Sequence, residues 1–142
     1  MQDCRYQTKL SAGLDLRTLE SVDLEPMERL TVDTGVYLKD VMPVPMTISV
    51  RTSDQYSDVP CAMVCSRSGL AAKDGVIVLN APGIVDADYD RSIKVILMNL
   101  GQRTAHINKG DRIAQLVFVY AYRRTELVKE ETRTGGHGST GT

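Results

Sequence analysis

The sequence has no tryptophan, one phenylalanine and six tyrosines among its 142 residues. Aromatic platforms for stacking nucleobases are therefore scarce, and the hydrophobic core has to consist mainly of Val, Ile, Leu and Met. Basic and acidic residues nearly cancel, 17 against 18, so the protein carries no general positive field that would attract DNA or RNA. We therefore expect no direct nucleic-acid binding, and any bound anion must be held by a local group of side chains.

Cysteine is also rare: the chain has only Cys4, Cys61 and Cys65. Their odd number and spacing match neither a zinc site nor a redox motif, which favours reduced thiols inside the cell, in the cytoplasm or nucleus. The sequence contains no run of about 18 apolar residues and no apolar segment near its first residue. We expect no membrane span, no membrane partner and no secretion.

A length of 142 residues is typical of one domain with one core. Short segments rich in Val, Ile, Thr and Tyr are separated by turn residues, which predicts an all-β sandwich or barrel. The predicted strands cover residues 31–38, 46–51, 61–64, 76–80, 93–99 and 113–120. Helical periodicity is weak, so we expect at most one short helix, over residues 68–73 and closed by a turn at Asp74-Gly75.

The last ten residues, 133–142, contain four glycines and no aliphatic side chain. Such a segment cannot pack into a core, and most segments of this kind are simply disordered termini. We predict a barrel domain over residues 1–132 followed by a flexible Gly-rich arm over residues 133–142.

Three segments have the composition of a phosphate site. Glycine lets backbone N–H groups approach phosphate oxygens, hydroxyls add donors, and arginine offers a planar fork for two hydrogen bonds. Each segment alone is equally typical of a surface turn, and neither a Walker A loop nor a GxGxxG motif occurs. The segments are Arg67-Ser68-Gly69, then Gly110-Asp111-Arg112 followed by Gln115, and Arg133 with Gly138-Ser139-Thr140-Gly141.

Two further segments carry carboxylates. Residues 80–89 lie between two apolar predicted strands and indicate a β-hairpin, whose backbone could contact the edge of a flat base. Asp86 in this hairpin could act on a water as a general base, although an acidic surface loop explains the residue equally well. Asp15 lies in the small, apolar segment 11–16, where the alternative is an ordinary turn carboxylate.

In this order, the five segments resemble the five motifs of the trimeric dUTP pyrophosphatases (dUTPases), and the resemblance extends over residues 11–141. It implies a jelly-roll-like β-barrel and a homotrimer whose active sites are shared between chains. It also implies that the C-terminal arm closes over a neighbouring molecule's site. The matching segments are residues 12–16, 66–73, 80–89, 110–116 and 135–141.

The resemblance implies hydrolysis of dUTP to dUMP and pyrophosphate, which limits uracil incorporation into DNA and supplies dUMP for dTMP synthesis. Asp86 would activate the water that attacks the α-phosphorus in line. Tyr89 would pack against the deoxyribose and reject the 2′-hydroxyl of UTP. Asn80 and Gly83 would contact the edge of the uracil.

The remaining roles concern the triphosphate and its metal. By resemblance, Arg67, Ser68 and Gly69 hold the α- and β-phosphates, and Gln115 adds a polar contact. Mg²⁺ would bind the triphosphate oxygens, with Asp15 orienting its water shell rather than acting as a direct ligand. The arm residues expected to contact the substrate are Arg133, His137, Gly138, Ser139 and Thr140.

The chain departs from the family pattern at several places, two of which bear most on its activity. His137 stands where the family usually has a phenylalanine that stacks on uracil, and Asp90-Arg91-Ser92 stands where Arg-Gly-Glu is common. These departures keep open the alternative of a catalytically weakened dUTPase-fold protein that acts as a binding or signalling module. A dCTP deaminase, which shares the fold, is disfavoured because the third motif contains no glutamate.

Overall fold

The computed structural model describes residues 4–43 and 55–124. These residues form nine strands and two short helices. The elements are β1 (Leu14–Arg17), β2 (Val22–Leu24), β3 (Arg29–Tyr37), α1 (Leu38–Val41), β4 (Tyr56–Ser66), α2 (Ser68–Asp74), β5 (Val76–Val78), β6 (Gly83–Asp86), β7 (Ser92–Asn99), β8 (Ala105–Ile107) and β9 (Arg112–Arg124).

The strands pair antiparallel in three sheets. One sheet has the order β1-β9-β4-β6, the second has β3-β7-β5, and β2 pairs with β8. Strands β4 and β9 are the longest, with 11 and 13 residues, and they pair from Tyr56 opposite Arg124 to Ser66 opposite Ala114. The architecture confirms the predicted all-β, jelly-roll-like barrel.

Alternating side chains explain why these segments form strands. Along β7, Ile93, Val95 and Leu97 are buried while Lys94 is exposed, which is the period of two expected for a strand with one face on the core. The core cluster consists of Leu, Ile, Val and Ala, and Phe118 packs against it only partly buried. The aliphatic core follows from the scarcity of aromatic residues.

Most predicted strands overlap observed ones, namely β3, β4, β5, β7 and β9. The strand predicted over residues 46–51 lies outside the described residues. Strands β1, β2, β6 and β8 were not among the predicted strands. Each has only three or four residues, too few for an alternating pattern to stand out.

The sequence predicts at most one short helix, whereas the described residues form two. The expected helix is α2, which ends at Gly75 in the left-handed conformation (φ 71°). A Cβ at Gly75 would lie 2.6 Å from the backbone N of Gly101, so this turn requires glycine. The additional helix, α1, is a single turn of four residues and cannot show helical periodicity.

The segment 80–89 is more than the loop of a hairpin. Strands β5 and β7 on either side of it do pair antiparallel, with Ile77 opposite Met98. Between them, however, the chain crosses to the other sheet and forms β6, which pairs with β4. This crossing attaches the segment that carries Asp86 to the same sheet as β1 and β9.

Candidate active site

Asp15 lies at the centre of a cluster of arginines. Its side chain on β1 is 1% exposed. Arg67 Nε lies 3.2 Å from its Oδ1, and Arg112 Nη1 donates a hydrogen bond of 3.3 Å to its Oδ2. Because burying an unpaired carboxylate is strongly unfavourable, two guanidinium groups beside one carboxylate stabilise it and leave a net positive charge.

The pairing of three strands brings these residues together. Asp15 on β1 lies opposite Gln115 on β9, and Gln115 lies opposite Cys65 on β4. Arg67 follows the last residue of β4, and its Nη1 also donates to the backbone oxygen of Arg112 at 3.4 Å. We call Asp15, Arg67, Arg112 and Gln115 the arginine cluster.

One oxygen of Asp15 retains hydrogen-bonding capacity. The contact between Arg67 Nε and Asp15 Oδ1 is close enough for charge attraction, but neither atom has a hydrogen-bond partner of acceptable geometry. A buried acceptor of this kind suits a donor that comes from outside the chain, such as a water molecule.

Ser68 and Gly69 begin helix α2 immediately beside the arginine cluster. Both are exposed, and a Cβ at Gly69 would have no atom within 4 Å. The preceding Ser66 fixes the base of the helix, because its hydroxyl accepts a hydrogen bond of 2.8 Å from the N–H of Val78. The segment from Arg67 to Gly69 therefore presents a cation, a hydroxyl and open backbone at one end of the sheet.

The second group of predicted residues, Asn80, Gly83, Asp86 and Tyr89, lies on and beside β6. We call it the β6 cluster. The Asn80 amide lies over Gly83, where an added Cβ would approach Nδ2 to 3.1 Å. Asp86 ends the strand as an exposed side chain, and its backbone oxygen accepts a hydrogen bond of 3.0 Å from Tyr89 N–H.

The two clusters are far apart within one chain. Asp86 lies opposite Cys61 on β4, whereas Arg67 comes six positions further along the chain. At roughly 3.3 Å per residue, this separation is about 20 Å along the strand. A single chain therefore does not bring Asp86 next to the arginine cluster.

Asp86 influences the thiol that it faces across the strands. Burial raises the pKa of Cys61, and the negative charge of Asp86 raises it further. Cys61 is therefore a protonated, unreactive thiol at neutral pH.

Two arginines of the cluster region were missing from the predicted substrate-binding residues. Arg112 lies in the fourth motif, but no local pattern in the sequence indicates that it pairs with Asp15. Arg17 donates a hydrogen bond of 2.7 Å to the backbone oxygen of Gly110, and its Nε is buried without a hydrogen-bond partner. An arginine two positions after an aspartate is too common in protein sequences for this pattern to have identified Arg17 as a residue of the site.

Some predictions lie outside the described residues, namely those for Arg133, His137, Gly138, Ser139 and Thr140 and the domain boundary at residue 132. Within residues 4–43 and 55–124, no group of three or more His, Cys, Asp or Glu side chains is arranged to hold a metal ion. In the same ranges, no helix has the length and apolar character needed to cross a bilayer.

The fold and the arginine cluster define a β-barrel protein with a concentrated positive charge at one end of a sheet. The family model of the dUTPases matches residues 1–141, and the chain belongs to this family. It is 41% identical to the deoxyuridine 5′-triphosphate nucleotidohydrolase of Treponema denticola, over 96% of this chain and 88% of that protein. It is 39% identical to the enzyme of the same name from Hydrogenobaculum, with the same coverage.

A solved structure supports the fold independently. The dUTPase of Streptococcus mutans superposes with a TM-score of 0.63 and 22% identity, over 82% of this chain and 83% of that one. At this identity the likeness concerns the fold alone. The dUTPase family generally uses a divalent metal in its hydrolase reaction.

Proposed function

We propose that the protein hydrolyses dUTP to dUMP and pyrophosphate. The observation that carries this proposal is the family match over residues 1–141 together with 41% identity over nearly the whole chain to a deoxyuridine triphosphate nucleotidohydrolase. The arginine cluster supports it physically, because a triphosphate needs a concentrated positive charge that the chain as a whole, at net −1, does not provide.

In this reaction the arginine cluster and the neighbouring Ser68 and Gly69 bind the phosphates. Arg67 is oriented by Asp15, and the guanidinium charge offsets the negative charge that accumulates on the phosphate oxygens during attack. Gln115 lies beside Asp15 in the strand register and contributes a neutral polar contact to the triphosphate. The exposed backbone at Gly69 leaves room for phosphate oxygens.

The β6 cluster acts on the nucleoside and the attacking water. Asp86 is the general base, accepting a proton from the water that attacks the α-phosphorus as pyrophosphate leaves. Asn80 and Gly83 contact the uracil edge, and Tyr89 packs against the deoxyribose and excludes a 2′-hydroxyl. The exposure of Asp86 and the anchored turn at Tyr89 are compatible with these roles.

The two clusters meet only when chains assemble. A base that acts at the α-phosphorus must lie within one water of a phosphate held by Arg67, yet the strand register separates Asp86 from Arg67 by about 20 Å in one chain. We therefore infer a homotrimer in which the β6 cluster of one chain faces the arginine cluster of another. Asn80 and Asp86 of the β6 cluster are exposed, so a second chain can reach them, as a shared site requires.

Mg²⁺ is the divalent cation that we propose for the reaction. The residues fit it as an outer-sphere ligand set, because Asp15 is engaged by two arginines and its Oδ1 can still accept a hydrogen bond from a metal-bound water. When bound to the triphosphate, Mg²⁺ neutralises charge on the phosphate oxygens. The contribution of Asp15 is to orient water at that position.

Residues 133–142 form the proposed C-terminal arm, separate from the barrel domain of residues 1–132. Arg133, Ser139 and Thr140 would contact the γ-phosphate, His137 would stack on the uracil, and Gly138 would allow close backbone approach. The family resemblance alone supports these roles. Deleting residues 133–142 should raise the KM for dUTP strongly and leave the thermal stability of the barrel unchanged.

We also infer that the protein works inside the cell. Cys4, Cys61 and Cys65 form no disulfide with one another, and reduced thiols are typical of a reducing compartment.

Pyrophosphate release by the purified protein with Mg²⁺ tests the proposal, with dUTP compared with UTP, dTTP and dCTP. We expect release from dUTP only, and loss of at least about a hundredfold in kcat for Asp86→Asn. The neighbouring exposed carboxylate provides a matched control, since Asp90→Asn should retain activity. Absence of release from dUTP by the wild type would refute the function and favour a binding or signalling role instead.

A further inference from the structure

Strand β3 holds the beginning of β7 through two side chains at an irregularity in their pairing. The register shifts between Asp33 and Tyr37, where Gly35 adopts a left-handed conformation (φ 64°). Ser92 Oγ donates a hydrogen bond to Asp33 Oδ1, and the buried Thr34 hydroxyl donates one of 2.7 Å to the backbone oxygen of Ile93. The first two residues of β7 are thus fixed by side chains in addition to the backbone ladder.

Ser92 in turn contacts Tyr89. The Tyr89 hydroxyl donates a hydrogen bond of 3.4 Å to the backbone oxygen of Ser92, and its N–H donates to the backbone oxygen of Asp86. A continuous series of contacts therefore leads from Asp33 through Ser92 and Tyr89 to Asp86.

The Asp33–Ser92 hydrogen bond is a strong one. Burial raises the pKa of Asp33. The hydrogen bonds from the Ser92 hydroxyl and from the Gly35 N–H at 2.8 Å, together with the charge of Lys94, lower it by more than burial raises it, so the net shift is downward. Asp33 is therefore ionised at neutral pH, and hydrogen bonds to an ionised acceptor are about twice as strong as neutral ones.

The residue type at position 92 matters for this contact. The dUTPase pattern that the sequence resembles commonly has glutamate there, and a second carboxylate would face that of Asp33 and repel it. Serine supplies a donor instead. The pair is thus a feature of this chain at the place where it departs from the family pattern.

We propose that Asp33 and Ser92 are positioning residues that hold the Tyr89 ring in place and thereby set the discrimination between dUTP and UTP. This inference rests on the proposed function, since it assumes that Tyr89 excludes the 2′-hydroxyl. The Tyr89 residue is bonded through both its backbone N–H and its hydroxyl, which opposes a shift of the ring that would admit the larger ribose of UTP. Loss of the Ser92 hydroxyl loosens the first residue of β7, whose backbone oxygen accepts the hydrogen bond from the Tyr89 hydroxyl.

The test compares kcat/KM for dUTP and for UTP in wild type and Ser92→Ala. We expect the ratio of the two values to fall roughly tenfold, the factor that corresponds to about 1.4 kcal/mol. Ser92→Thr keeps the hydroxyl and should restore the ratio. Thr104→Ala is the matched control, because it removes another hydroxyl-to-carboxylate hydrogen bond, of 2.9 Å to Glu25 Oε2, at a distant position.

A second measurement does not depend on activity. Hydrogen–deuterium exchange of the peptide spanning residues 86–92 should become faster in Ser92→Ala and stay unchanged in Thr104→Ala. In the double variant Asp33→Ala/Ser92→Ala, the loss of selectivity should be no greater than in Asp33→Ala alone, because Asp33→Ala already removes the acceptor of the Ser92 hydroxyl along with that of the Gly35 N–H.

Equal falls in kcat/KM for dUTP and UTP would overturn the proposal, because a merely structural role lowers both alike. Unchanged exchange of residues 86–92 in Ser92→Ala would overturn it as well. A wild-type protein that fails to hydrolyse dUTP would refute the proposed function, whereas the exchange experiment would still decide whether Ser92 holds the Tyr89 turn.

Discussion

Replacing Arg112 with methionine removes one of the two cations that hold Asp15. The Asp15 carboxylate is 1% exposed, and within residues 4–43 and 55–124 it accepts its side-chain hydrogen bond, of 3.3 Å, from Arg112 Nη1. A hydrogen bond to a charged group contributes about 1.5–3 kcal/mol. Because the Arg112 side chain is 38% exposed and Arg67 remains beside Asp15, we expect a loss of about 2 kcal/mol of unfolding free energy.

Urea denaturation at fixed protein concentration measures this loss, since unfolding of an oligomer depends on concentration. Arg112→Lys keeps the charge without the planar fork and should lie between wild type and Arg112→Met. The exposed Arg29 on β3 provides the control, and Arg29→Met should change stability by less than about 0.5 kcal/mol. An Arg112→Met protein as stable as Arg29→Met would refute the view that Arg112 stabilises the buried carboxylate.

Three further predictions concern titrating groups. The His106 imidazolium donates a hydrogen bond from Nδ1 to Asp23 Oδ1, and this bond and the Asp23 charge raise the pKa of His106 above 6.5. The pair therefore stabilises the fold below pH 6.5 and loses this effect as pH rises through the raised pKa, and Asp23→Asn should lower the His106 pKa in an NMR titration. The pKa of Asp33 is lowered from 3.8, so the stabilisation that the ionised carboxylate contributes to the fold is complete above pH 3.8 and is lost as pH falls through the lowered pKa. Urea denaturation should therefore show the stabilities of wild type and Asp33→Asn converging in acid. Asp86→Asn removes one cause of the raised pKa of Cys61, and iodoacetamide should then alkylate this thiol faster at a fixed alkaline pH.

The sequence was sufficient for the long strands and for α2, because these have alternating burial or a glycine stop that local chemistry specifies. It was insufficient for β1 and β6, which exist because longer neighbours, β9 and β4, offer them backbone partners. Pairing between distant segments leaves no local trace in four residues.

The candidate site shows the same limit. Glycine, serine and arginine types pointed to a phosphate site at residues 67–69, and the structure brings Arg67 beside Asp15. The pairing of Arg112 with Asp15 depends on the β1–β9 register, and the link from Ser92 to Asp33 depends on an irregular register between β3 and β7. Neither register can be read from one sequence.

The most direct test of the central claim, a dUTPase site assembled from two chains, is complementation between two inactive variants. Asp86→Asn lacks the base of the β6 cluster, and Arg67→Met lacks a cation of the arginine cluster. When the two are unfolded and refolded together in equal amounts, random assembly should give about one quarter of sites with both groups intact, and dUTP hydrolysis should return to that level. A mixture that stays as inactive as either variant alone, although mixed oligomers form, would contradict the shared site.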